Sequence, residues 1–283
     1  MNACNGGCNK PLNANEKISC SQTNRKKQFH YFCVQLTSAK KPTNWKCPDR
    51  IQEISSTQRN KIKNDTPVVK FTINIYYQNI RGMWTKLPDV FLEVSANNFD
   101  LIVLTETWLN DSIFDSEIFD SRYQVFRRDR SSNTFNENND GGGVAIAVKK
   151  SISAYRNHNF ESRCEDLWVT LELGNYRICV CSVYLRSPLN QTHLKHFTEN
   201  AGNVINNTCN DILIFGDFNL RDIVWTPSNA DSSLKPSNFD NIFGYEFVDF
   251  LSSYDLKQYS QISNHQAKIL DLVPSNTFCD ISV

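Results

Sequence analysis

Ile212-Leu213-Ile214-Phe215-Gly216-Asp217-Phe218-Asn219 decides how this chain is read. Four consecutive apolar residues stopped by glycine form a short buried strand, and that strand delivers Asp217 and Asn219 to the rim of a sheet. On an extended segment, residues two apart project to the same side. The carboxylate can then act as a base and the amide as an orienting donor for one bound group. A strand followed by an Asx turn uses the same residues, so the weight falls on what surrounds the tetrad.

Four other segments end in the same way. Lys70 to Tyr77 alternates as a strand does and leads into Gln78-Asn79-Ile80-Arg81-Gly82, which places Asn79 at a strand exit. Leu101 to Leu104 runs into Thr105-Glu106-Thr107-Trp108, a second carboxylate at a strand end. Ile178 to Val183 leads to Tyr184, with Pro188 ending the ladder soon after. Ile269-Leu270-Asp271-Leu272-Val273-Pro274 buries one acid in an apolar strand, where it needs a partner.

Asn79, Glu106, Tyr184, Asp217-x-Asn219 and Leu-Asp271-Leu, each at a strand terminus, resemble the endonuclease/exonuclease/phosphatase superfamily over about residues 68 to 283. The similarity is greatest to the apurinic-like endonuclease of non-LTR (LINE-type) retrotransposons, through the Gln78–Gly82 and Leu104–Leu109 segments, Gly141–Ile146 and Asp222–Trp225. That resemblance implies a Mg²⁺- or Mn²⁺-dependent hydrolase of phosphodiesters. Glu106 and Asn79 would hold the metal, Asp217 would activate the attacking water with Asn219 fixing its geometry, and Tyr184 would bond the scissile phosphate. Asp271 would orient a histidine. Arg81, standing where repair enzymes of abasic sites carry an acid, is assigned to substrate binding. The family pattern also ends in an acid-x-His segment, and no histidine follows Asp271. The chain is therefore read as a C-terminally truncated fragment that lacks its last strand and cleaves weakly or not at all, with a reverse transcriptase domain expected on the full-length protein.

The chain carries 30 basic and 30 acidic side chains, yet residues 1–66 hold 12 Lys and Arg against 4 acids. The front is basic and the remainder acidic, which suits contact between the front and nucleic acid and equally a solvated linker. Arg127-Arg128-Asp129-Arg130 is the main cationic cluster beyond it, placed either beside DNA or facing water. No apolar stretch approaches the 18 residues of a membrane span and the first residues lack a signal-peptide pattern, so the expectation is an intracellular, nuclear protein without a membrane partner.

Five of ten cysteines fall in the first 47 residues, a clustering that points to zinc in an intracellular chain. Free cysteines in a disordered leader are the alternative. The order Cys4-x3-Cys8, Cys20, His30-x2-Cys33, Cys47 looks like a PHD-type finger, whose interleaved layout implies one complete site from Cys4, Cys8, His30 and Cys33. A second, degenerate site keeps only Cys20 and Cys47, because Thr23 and Arg50 occupy the other places. A histone tail or RNA is the partner such a finger implies. Cys164, Cys179, Cys181, Cys209 and Cys279 read as small core residues.

The expected organisation is a zinc finger over residues 1–50, a polar basic linker over 51–66, and a hydrolase domain over 67–283. Strands fall near 123–128, 143–149, 167–173, 176–184 and 211–217, with helices at 87–94, 191–206 and 238–253. Asp140-Gly141-Gly142-Gly143 is a tight turn and not a phosphate loop, since no helix follows. Many strands with widely spaced helices make an α/β fold, the four-layer α/β/β/α sandwich of two packed mixed sheets that the resemblance also implies. The function expected is DNA nicking that primes reverse transcription. The alternatives are a phosphoinositide or sphingolipid phosphodiesterase or phosphatase of the same superfamily, and a non-catalytic chromatin or nucleic-acid binding protein with a decayed nuclease fold.

Overall fold

A computed structural model describes residues 17–19, 28–30, 72–130, 134, 141–207 and 209–282. The chain separates into two units, Met1–Phe71 and Thr72–Val283. In the first, β1 (Lys17–Ser19) pairs antiparallel with β2 (Gln28–His30), Ile18 opposite Phe29. The zinc candidates Cys4, Cys8, Cys20, Cys33 and Cys47 lie outside the described residues, and of His30 only the backbone is described.

The second unit holds two mixed sheets. The smaller has the order β3 (Ile75–Asn79), β4 (Leu101–Thr105), β6 (Val144–Lys149), β5 (Tyr123–Arg128), with β3 and β4 parallel. The larger is built on β7 (Ser153–Arg156), β8 (Glu165–Leu173), β9 (Tyr176–Tyr184) and β10 (Asp211–Asp217). It continues through β15 (Pro274–Ser275) and β13 (Lys257–Gln258) to the β12 (Leu234–Ser237) and β11 (Val224–Pro227) hairpin, while β14 (Asp271–Leu272) also pairs with β10.

Side-chain parity explains the layering. Leu101 and Val103 of β4, with Val144, Ile146 and Val148 of β6, face Leu167, Val169, Leu171, Val180, Leu213 and Phe215 of the larger sheet. The intervening residues point outward: Ile102, Leu104, Ala145 and Ala147 meet Val90 and Val94 of α1 (Leu87–Ala96). On the far side, Trp168, Cys181, Val183, Ile212 and Ile214 meet Leu194, Phe197, Ala201 and Val204 of α2 (Gln191–Asn207) and Phe247, Phe250 and Leu251 of α3 (Ile242–Ser253). The result is the four-layer α/β/β/α sandwich. Strands covered on both faces read as unbroken apolar runs because neither parity can be polar.

Several local expectations are corrected. The strand expected over Lys70–Tyr77 is β3, which begins at Ile75 and runs through Asn79. The last expected helix begins at Ile242, because Asn238 is left-handed (φ 55) and Asn241 caps the helix by accepting from Gly244 N at 2.8 Å. The expected strand 269–274 is two two-residue strands, since Pro274 has no N–H to continue a ladder. Of the five late cysteines, Cys179 and Cys209 form a disulfide. Cys164 and Cys181 are the buried free thiols expected, their pKa values raised by desolvation, that of Cys164 to about 12.

Gly216 does not stop the strand. It lies inside β10, in register with Val183, and a Cβ there would overlap the carbonyl oxygen and Cγ1 of Val183. Glycine is needed for the close approach of β9, and backbone cannot yield as a flexible side chain would. Gly216→Ala is expected to lower stability by about 1–3 kcal/mol through overpacking. A urea midpoint unchanged from the parent would contradict this packing.

Candidate active site

Register builds the site. Across the larger sheet Glu165 stands opposite Tyr184, Tyr184 opposite Asp217, and Asp217 opposite Asp271. The parallel strands β9 and β10 end at this row, while the antiparallel strands β8 and β14 begin there, so four polar side chains share one rim. The smaller sheet contributes Asn79, the last residue of β3, opposite Thr105, with Glu106 directly after β4. Hydrogen bonds join the sheets at this rim. Asn79 Nδ2 donates to Asp217 Oδ2 at 3.0 Å and also to Glu106 Oε1 at 2.8 Å, and Tyr77 donates its hydroxyl to Asp271 Oδ1 at 2.7 Å.

The structure thus brings together Asn79, Glu106, Tyr184, Asp217, Asn219 and Asp271. Phe218 locks the tetrad in place: it is fully buried, its ring 4.7 Å from that of Phe247 and 5.8 Å from that of Phe197. Asn219 corrects the extended, same-side expectation. Its backbone is left-handed (φ 52), its N–H donates to Asp217 Oδ1 at 3.0 Å, and its Nδ2 donates to Leu185 O at 2.8 Å. It therefore steadies Asp217 through the main chain and ties the β10 exit to the β9 exit. Asp271 finds its partner in Tyr77, which sequence reasoning missed. The signal was available, because Tyr77 lies two residues before Asn79 on one strand and shares its face. His265 is exposed on a loop.

Burial at this rim raises two of its acids. Burial raises the Asp217 pKa to about 7, with Asp271 and then Glu106 adding to the rise and the Asn219 N–H and Arg81 opposing it. Burial also raises Asp271, reinforced by Glu106 and relieved by the Tyr77 bond. Tyr184 is pushed up to about 12, first by desolvation and then by Glu106 and Asp217, so it is a neutral phenol and a hydrogen-bond donor at neutral pH.

The donor set fits a hard divalent cation. Asn79 Oδ1 is buried without a hydrogen-bond partner, in a site lined by the carboxylates of Glu106 and Asp217. An orphaned amide oxygen is costly unless something electropositive meets it. Among the described residues no three His, Cys, Asp or Glu side chains form a ready-made cage. Mg²⁺ does not require one, since it keeps several waters and takes one or two carboxylates.

The arginines divide into two populations. Arg127 pairs with Asp129 at 2.5 Å and Asp115 at 3.0 Å, Arg128 with the buried Asp166 at 3.0 Å, and Arg130 with Glu165 at 2.9 Å, its side chain only 5% exposed. The 127–130 cluster therefore neither faces water nor forms an open DNA surface; its charges are internal. Glu165 also accepts from Gly143 N at 2.7 Å, and Arg130 lies 5.9 Å over the Tyr184 ring, which steadies that side of the rim. In contrast Arg81, Arg186 and Arg221 are exposed, and the Arg81 charge acts on Asp217 and Asp271. Arg221 reaches only Ser187 Oγ, at 3.2 Å. Each stands two residues beyond a site residue, Asn79, Tyr184 and Asn219 respectively, a spacing visible in the sequence and overlooked for the last two.

The Endonuclease/Exonuclease/phosphatase family profile matches residues 72–258. No curated protein sequence matches the chain. Among solved structures, the chain is similar to an AP endonuclease, LMAP, from Leishmania major, with 13% identity and a TM-score of 0.53 over 75% of this chain and 83% of that one. It is also similar to the endonuclease domain of TRAS1, a telomere-specific non-LTR retrotransposon, with 12% identity and a TM-score of 0.50 over 72% and 84%. At these identities the likeness is one of fold. No helix among the described residues is long and apolar enough to cross a membrane.

The raised Asp217 carboxyl links stability to pH. The folded chain binds this proton more tightly than the unfolded one, so its contribution is fully present below the ordinary aspartate value of 3.8 and is lost as pH rises through about 7. Asp217→Asn removes a charge that is unfavourable above that window. In metal-free buffer it is expected to raise the denaturation midpoint at pH 8, with a gain that shrinks toward pH 4. An equal effect at both pH values would show that Asp217 is not perturbed.

Proposed function

Because the chain belongs to the endonuclease/exonuclease/phosphatase family, we propose that it hydrolyses phosphodiesters as a divalent-metal-dependent DNA endonuclease, the nicking enzyme of a retroelement reading frame whose 3′ hydroxyl product primes a reverse transcriptase. The observation that carries this reading is the Asn79 amide, bonded to two carboxylates on one side and left with a buried, unpartnered oxygen on the other. Glu106 and Asn79 Oδ1 are the groups that would hold Mg²⁺ or Mn²⁺, which when bound would polarise the phosphoryl oxygen and offset charge on the leaving oxygen.

The remaining roles fall to the chain itself. Asp217, its proton affinity near neutrality, takes a proton from the attacking water as the new P–O bond forms and the bond to the 3′ oxygen breaks, the 3′ oxygen leaving with the electron pair and taking a proton from solvent to give the hydroxyl. Asn219 holds that carboxylate through its N–H, and Tyr184 donates to a non-bridging phosphate oxygen. Asp271, anchored by Tyr77, keeps negative charge beside Asp217 and so maintains its basicity. Arg81, with Arg186 and Arg221, meets phosphates flanking the cleaved one. A chain of phosphates suits three separate guanidinium groups around one site better than a single phosphate ester does. The same reading takes residues 1–50 as a finger with one zinc on Cys4, Cys8, His30 and Cys33 and with Cys20 and Cys47 as a remnant second site. Residues 51–66 are then a basic linker, and the protein is nuclear.

Nicking of supercoiled plasmid tests the proposal. Slow conversion to open circles with Mg²⁺ or Mn²⁺ is expected, abolished by EDTA and reduced about 10²-fold or more in Asp217→Ala or Glu106→Ala. Nicking that ignores the metal, or that survives both substitutions, would remove its basis. Faster hydrolysis of inositol phosphates than of DNA would reassign the site to a phosphatase. Arg186→Ala and Arg221→Ala are each expected to weaken DNA binding across sequences and to reduce the salt slope of log K by about 1; slopes equal to the parent's would exclude phosphate contacts.

A further inference from the structure

Two tryptophans stand exposed on the loops that carry the metal-holding candidates, Trp108 two residues after Glu106 at 47% exposure and Trp84 five after Asn79 at 61%. The two loops are stitched together: Gly82 N donates to Glu106 O at 2.8 Å and Met83 N to Thr107 O at 3.0 Å. Trp108 is not a loose surface side chain. Its backbone is held left-handed (φ 54), and its N–H donates to Gly142 O at 2.8 Å. One side of its indole lies against Gly82, where a Cβ would stand 2.8 Å from Cε3 and 3.2 Å from Cδ2 and Cζ3; Nε1 borders Gly141, whose Cβ would be 3.5 Å away. Gly82 is itself left-handed (φ 89). A strained backbone and closely placed glycines thus hold a large aromatic ring half exposed beside the candidate site, where burial would stabilise it more.

We propose that Trp108 is a stacking platform for an unpaired base of the substrate strand, adjacent to the cleaved phosphate. This deepens the nuclease reading and rests on it. A fixed aromatic face accepts any nucleobase by stacking. Arg81 lies between Asn79 and Trp84 and is exposed, so a cation for the phosphate that accompanies the base is on the same pair of loops. The substrate is therefore DNA in which a base is free to leave its partner: single-stranded, bulged or mismatched.

The test uses the whole chain in an Asp217→Asn background with Mg²⁺, and measures binding to a duplex carrying one bulged 2-aminopurine and to the fully paired duplex. Quenching of the 2-aminopurine on binding is expected. Trp108→Ala should abolish the quench and weaken the bulged duplex about 5- to 150-fold, the range of base stacking on an aromatic side chain, with at most a 2-fold effect on the paired duplex. Trp108→Phe, which keeps a ring, should restore most of both signals and controls for misfolding, alongside unchanged circular dichroism. Equal effects on the two duplexes, or none, would overturn the platform. Self-association of the parent that is lost in Trp108→Ala would also overturn it, assigning the indole to a contact between copies. If the parent nicks plasmid and Trp108→Ala binds as the parent does, only this inference falls; if the parent neither binds nor nicks DNA, the nuclease reading falls first.

Discussion

One amide group ties the acids of the two sheets together at the rim. Asn79 Nδ2 reaches Glu106 on its own sheet and Asp217 on the other, at 2.8 and 3.0 Å. Without a donor between them, two carboxylates drawn from water to one rim would repel each other, and burial would add to the cost. The amide can satisfy both acids with its two N–H groups only by turning its oxygen elsewhere, and that oxygen is left buried and unpartnered. The chain tolerates this unsatisfied arrangement because the sandwich core on either side of it is deep. Stability is given up at one edge, where under the proposed function a bound cation would recover it.

Backbone strain gathers at the same place. Among the described residues Arg81, Glu106, Trp108 and Asn219 are four of the seven non-glycine residues with positive φ, and Gly82, Gly141, Gly142 and Gly143 adjoin them. Left-handed backbone costs an L-residue about 1 kcal/mol or more, so its concentration on the exits of β3, β4 and β10 is a property of the rim and not of loops in general. These exits turn sharply because each must present a side chain at a strand end and then leave without obstructing the neighbouring exit. The hydrogen bonds from Gly82 to Glu106 O and from Leu185 to Asp217 O hold the turns in pairs.

The sandwich and the rim were legible because parity and length carry them. β4 and β10 are apolar on both faces and too short for helices, so Leu101–Leu104 and Ile212–Phe215 announce strands buried between layers, and the polar residue that ends each run is at the rim. What pattern reading lost were features set by contacts distant in sequence. Nothing local to Gly216 says that Val183 lies against it. The side chains of Arg127, Arg128 and Arg130 resemble a cationic surface until Asp115, Asp129, Asp166 and Glu165 are placed beside them. Two-residue strands such as β13 and β14 are too short to show a period, and Cys179 and Cys209 are 30 residues apart. Tyr77 was recoverable by counting two residues back from Asn79, since a strand repeats its direction every second residue.

The sheets supply different halves of the rim. The larger sheet brings Tyr184, Asp217 and Asp271 in one register line, together with Arg186 and Arg221 on exits joined through Ser187. The smaller brings Asn79 and Glu106, with Arg81 and the exposed indoles on exits joined through Gly82. Under the proposed function, a ligand spanning the seam would meet Tyr184, Asp217 and the two arginines from one side, and Asn79, Glu106 and the indoles from the other. A small phosphate ester would engage the acids and one arginine. A nucleic-acid strand would engage both halves at once, so within that proposal the separation of these groups onto two sheets favours a polymer laid across the seam over a headgroup inserted into it.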